Sequence, residues 1–197
     1  MSPRTQQQFE EMRESRRRLI MDTALELFAS EGFSHCSISL LAQHAGISKG
    51  LMYNYFDSKE ELLVAVIESG LNEIMNLLDP NRDGILQPDE LEAFIRKVFS
   101  NMRNNRKFWT LYVNVILQPG VREQLNDKPI INYMERFFPL LLDYFEKKGC
   151  RNPQLEMLTL SALIEGFGVL MIYAYPTQQI NDEVINQFEN RIIQMFI

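Results

Sequence analysis

Two short apolar stretches, each headed by a serine and joined at a glycine, constrain this chain more than any other feature. Ser37 stands ahead of Leu40, Leu41 and Ala42, and Ser48 stands ahead of the run from Lys49 to Phe56. A serine in that place predicts a helix start, because its hydroxyl accepts from a backbone N–H that the helix leaves unpaired. Between the two, Ala45-Gly46-Ile47 predicts a tight turn in which Gly46 takes a positive φ. Leu41, Ala42 and Ile47 are spaced to pack the helices together, and the small Ala42 allows a close approach. This is the build of a helix-turn-helix, whose second helix can enter a DNA major groove with its N-terminal end toward the bases.

The rest of the chain carries helical periodicity almost throughout. Leu19, Ile20, Ala24, Leu27 and Phe28 predict a helix over 16–31 that Gly32 ends. Ser58 is placed to cap a long helix from Lys59 to about Leu78. Further helices are expected from Pro88 to about Asn104, Phe108 to Leu117, Ile130 to Lys148, Gln154 to Tyr175 and Asp182 to Phe196. Pro139 predicts a kink or boundary in its helix, and Gln118-Pro119-Gly120 predicts a break. The fold class is therefore all-α: an N-terminal three-helix domain at 1–60, with 1–12 as a disordered arm, and a helical bundle at 61–197.

Composition narrows the class. Net charge is −6, and residues 1–60 hold seven basic and eight acidic side chains. Bulk charge therefore gives no support for nucleic-acid binding, and the case rests on motif geometry. Arg16, Arg17 and Arg18 form the one basic cluster, placed beside the motif where phosphate contact is favoured. No secretory signal and no membrane span is expected, so the expected compartment is the cytoplasm. Cys36 and Cys150 are expected to be reduced thiols. No Gly-rich phosphate loop, Ser/His/Asp set or His/Cys cluster points to an enzyme.

Several elements in order resemble the TetR family over residues 16–63. They are Leu27-Phe28 with Gly32-Phe33, Ile47-Ser48-Lys49-Gly50, Tyr53, Tyr55-Phe56 and Ser58-Lys59-Glu60-Glu61-Leu62. Leu51-Met52 departs from the family's more usual small polar residue followed by Leu. The resemblance implies a homodimeric DNA-binding transcriptional regulator, a repressor released from a pseudo-palindromic operator by a small-molecule effector, with no membrane partner. It assigns DNA contact to Ser37, Ser39, Ser48, Lys49, Gly50, Leu51, Tyr53, Asn54, Tyr55 and Lys59. Ser48 and Lys49 sit where a helix N-terminus attracts phosphate. Leu51, Tyr53 and Asn54 are the candidates for base edges. Tyr55 and Lys59 are the candidates for the backbone, while Phe56 is expected in the core.

The resemblance also implies an effector pocket and a dimer surface in the bundle. Trp109, Tyr112, Phe137 and Glu165 are the pocket candidates, set against the alternative that aromatic residues at helical spacing are plain core. The helices at 154–175 and 182–196 are the expected dimer pair, with Leu158, Ala162, Gly166 and Val169 allowing close packing.

One further motif stands apart. Residues 79–90, Asp-Pro-Asn-Arg-Asp-Gly-Ile-Leu-Gln-Pro-Asp-Glu, fit the EF-hand loop pattern D-x-[DN]-x-[DN]-G-x5-E without a mismatch. Asp79, Asn81 and Asp83 would supply side-chain oxygens, Ile85 its carbonyl and Glu90 a bidentate carboxylate, with Gln87 acting directly or through water. A polar turn between helices has the same composition. Both readings stand: a regulator that requires no cofactor, or a calcium-responsive one.

Overall fold

The computed structural model describes residues 6–125, 128–173 and 180–197, and among these all regular structure is helical. The helices are α1 (Gln6–Glu31), α2 (Ile38–His44), α3 (Lys49–Tyr53), α4 (Lys59–Leu78) and α5 (Pro88–Asn104). They continue with α6 (Arg106–Ile116), α7 (Pro119–Leu125), α8 (Lys128–Lys147), α9 (Pro153–Tyr173) and α10 (Asp182–Phe196). A short 3-10 turn covers Phe33–His35.

Three features differ from the sequence reading. First, α1 begins at Gln6, so residues 6–12 are helical rather than an arm; residues 1–5 lie outside the described residues. Second, Pro119-Gly120 opens α7 instead of only ending a helix, because proline's missing N–H and fixed φ cost nothing at a helix start. Third, α8 runs through Pro139 without a boundary. By compactness, one unit comprises 1–70 with 111–129 and the other 71–110 with 130–197.

The first unit is ordered by its helix ends. An α-helix leaves its last four carbonyls without partners, and α1 shows how this chain answers that. Gly32, at φ 85°, turns the chain out of the helix. The Gln118 side chain then donates to Phe28 O at 2.7 Å and accepts from Phe33 N at 2.9 Å. The Phe28 and Phe33 rings meet edge to face, 5.2 Å apart. Further along, Tyr112 donates its hydroxyl to Ile67 O at 2.8 Å. Its ring lies so close to Gly70 that an added Cβ would come within 2.5 Å of it. Only glycine fits at position 70.

The second unit is ordered by apolar bulk. Leu91, Phe94, Ile95, Val98 and Phe99 line one face of α5 and are buried. Phe99 stacks on Phe167 at 3.9 Å, and Phe145 packs on Phe196. Glu189 of α10 is buried as well, and it meets Arg96 at 3.1 Å and Arg103 at 3.5 Å on α5. A buried carboxylate needs such partners.

Candidate nucleic-acid interface

The site is built on α3, and its geometry follows from two serine caps. Ser37 Oγ accepts from Leu40 N at 3.2 Å and Ser48 Oγ accepts from Leu51 N at 3.1 Å. Gly46 takes φ 65°, as the turn requires. The periodicity of α3 then sorts its residues. Met52 and, just beyond the helix, Phe56 turn inward and are fully buried. Leu51, Tyr53 and Asn54 face outward, with Tyr53 45% exposed. Ser37, Ser39, Ser48, Lys49 and Gly50 are exposed too. A Cβ placed on Gly50 would meet no atom of the chain within 4 Å. The fold itself therefore does not demand glycine there.

Two of the named residues are held by the protein. Tyr55 is half-buried with the Arg13 guanidinium 5.9 Å from its ring, and Arg17 lies 5.0 Å from the Phe56 ring, within cation–π range. Lys59 donates to Phe33 O at 2.9 Å and sits 4.2 Å from that residue's ring. Its ammonium thus ties the start of α4 to the α1–α2 connection, a structural role that the sequence reading did not give it. Nearby, burial pushes the Cys36 thiol up from its ordinary pKa, an effect that the positive charge of Lys59 only partly offsets.

The first turns of α1 add a feature that the sequence reading missed. Phe9, Met12, Arg16 and Leu19 border an open groove whose other wall is Leu51, Asn54 and Tyr55. Phe9, Met12 and Leu19 are exposed there. Their spacing of three and seven was the available signal, hidden because the helix was expected to start at Arg16.

The four pocket candidates do not share one unit. Tyr112 belongs to the first, with its phenol committed to Ile67; Trp109, Phe137 and Glu165 belong to the second. Trp109 is buried and donates to Asn101 Oδ1 at 2.7 Å. Phe137 is buried and stacks on Tyr133 at 5.0 Å. Glu165 is exposed rather than enclosed. Burial and the Glu165 carboxylate both raise the Tyr133 pKa, so that phenol stays protonated.

The 79–90 loop joins α4 to α5. Asn81, Asp83 and Ile85 are exposed, and Glu90 turns to accept from Gln87 N at 3.0 Å. Among the described residues, no three His, Cys, Asp or Glu side chains converge as they stand.

A capped helix held outward by a three-helix head is the architecture of a helix-turn-helix protein. Residues 20–66 match the family described as "Bacterial regulatory proteins, tetR family". That match places the tetR-type helix-turn-helix within the first third of the chain. It is 24% identical over 185 residues to the HTH-type transcriptional regulator YuxN of Bacillus subtilis. That match covers 89% of this chain and 62% of YuxN, so the chain spans less than two thirds of that relative. Two solved structures share the fold. NalD of Pseudomonas aeruginosa, the secondary repressor of the MexAB-OprM multidrug efflux pump, aligns at TM-score 0.68 and 20% identity, over 93% of this chain and 97% of NalD. FadR of Bacillus subtilis in complex with stearoyl-CoA aligns at 0.65 and 18%, over 91% and 97%. At those identities the likeness is one of fold.

Proposed function

We propose that the chain is a transcriptional repressor that binds a pseudo-palindromic DNA operator as a homodimer and leaves it when a small apolar effector binds. The observation that carries this reading is the division of labour at α3: Met52 and Phe56 fill the head, while Leu51, Tyr53 and Asn54 are left outward with no structural task. Open space at Gly50 and the free hydroxyl face of the two serine caps suit a duplex lying against the same surface. This work belongs in the cytoplasm, where the DNA is.

The dimer surface is supported by α9. Leu155, Leu158, Ala162, Gly166 and Val169 form an exposed stripe at helical spacing, while Leu160, Ile164, Phe167 and Met171 on the other side are buried. By length and composition alone α9 could cross a membrane. Its buried face and the exposed Glu165 favour a second copy of the chain as its cover, giving the same patch on both subunits. The effector reading is supported by the apolar surroundings of Tyr133 and Phe137, and by a fold shared with a regulator that binds stearoyl-CoA. Such a ligand must favour one conformation of the protein, or it shifts nothing.

The test is a gel-shift titration on the chain's own upstream DNA. The parent should be dimeric by light scattering and should retard that DNA, with affinity that falls steeply as salt rises. Val169→Glu should give monomers that no longer retard it. A monomeric parent, or no retardation at low salt, overturns the reading.

A further inference from the structure

The loop between α4 and α5 serves neither the DNA-facing surface nor the dimer stripe, and its chemistry is of another kind. Within residues 79–90 the chain places four carboxylates against one guanidinium. Asp79 follows the last turn of α4, its N–H bonded to Met75 O. One of its carboxylate oxygens, Oδ2, accepts from Gly84 N at 3.3 Å across the loop. The other, Oδ1, is fully enclosed and has no hydrogen-bond partner. A buried carboxylate oxygen without a partner is costly, and nothing among the described residues relieves it.

We propose that residues 79–90 form a calcium site, with Asp79, Asn81, Asp83, the Ile85 carbonyl and Glu90 as ligands and Asp79 Oδ1 as the oxygen that the ion completes. The first half of the loop is turned by its own hydrogen bonds, although its carboxylates do not yet converge. Arg82 and Gly84 take φ 58° and 74°, which turns the chain sharply at both positions. Asp83 N bonds to Asn81 Oδ1, and Ile85 N to Asp83 Oδ1 at 2.8 Å. Leu86 is buried and anchors the second half, although Ile85 beside it is exposed. The remaining ligand is Glu90, which caps α5 through Gln87 N. Asn81 Nδ2 donates to Asp83 Oδ2 at 3.0 Å, so these two side chains would part and Glu90 would rotate from the cap for the donors to converge. The full set then offers roughly seven oxygens, which suits calcium better than the smaller magnesium. The ion would then brace the end of α4 against the start of α5. This inference does not depend on the DNA-binding reading.

Calorimetric titration of the full-length, metal-stripped protein with calcium chloride, without DNA, tests it. One ion should bind per chain and raise the melting temperature, and magnesium chloride should bind more weakly. Glu90→Gln keeps an acceptor for Gln87 N and Asp79→Asn keeps one for Gly84 N, so both should melt like the parent without calcium. Each should bind calcium at least about tenfold more weakly. No heat up to millimolar calcium overturns the proposal. So does calcium binding that both variants retain unchanged, which would put the ion elsewhere, or magnesium binding as tight as calcium.

Discussion

Both units of this chain have a buried apolar core, but they differ in what else fixes their helices. In the first, order comes from directional hydrogen bonds at helix ends: Ser37 and Ser48 cap α2 and α3, Ser58 accepts from Glu61 N, and Gln118 closes α1. In the second, order comes from large side chains packed together, Phe94, Phe99, Phe137, Phe145 and Phe196 among them. The difference matches their tasks. Short helices that present side chains outward bury little area each and need caps to fix their ends as well. Long helices that enclose a core can rely on area alone.

The largest effect should come from breaking the packed unit. Phe99 is fully buried and stacked on Phe167. Phe99→Ala should cost about 3–5 kcal/mol of stability by chemical denaturation, the range for removing a buried aromatic ring. A loss below about 1 kcal/mol would show that the site collapses freely and that the second unit is not held by close packing.

A smaller effect should come from the hydrogen-bonded unit. Gln118→Leu keeps most of the volume but leaves Phe28 O and Phe33 N without the partner that joins them. We expect a loss of about 1–3 kcal/mol, the cost of stranding partly buried polar groups. Gln118→Glu should restore the bond from Phe33 N but not the donation to Phe28 O, and so fall between parent and Leu. If Leu is as stable as the parent, the α1 closure contributes nothing and the contrast between the units fails.

The same contrast explains what could be read from sequence. The head was legible because caps and turns use particular residues: Ser37, Gly46, Ser48 and Ser58 each announce a helix end, and each end is found where expected. The long helices were legible as elements through their period. Their partners were not, because a period says which face is apolar and not what covers it. Tyr112, Trp109, Phe137 and Glu165 share a composition that suits a pocket, yet Tyr112 packs on Gly70 in the first unit and Glu165 faces outward. Gln118 was read only as part of a break, because its partners lie about 90 residues earlier and no local pattern points to them. The place of Lys59 beside the head suggests phosphate; its bond to Phe33 O depends on a turn that periodicity does not describe.

On the proposed reading, the outward face of α3 contacts DNA while its inward face holds the head together. Tyr53→Ala tests this most directly, because Tyr53 is exposed and its loss should leave the head's core untouched. Affinity should be measured for the operator and for a scrambled duplex of the same length, over a range of salt. The variant should keep a parent-like melting temperature, lose about tenfold or more in operator binding, as loss of a base contact gives, and bind the scrambled duplex unchanged. Operator binding equal to the parent's would contradict that reading.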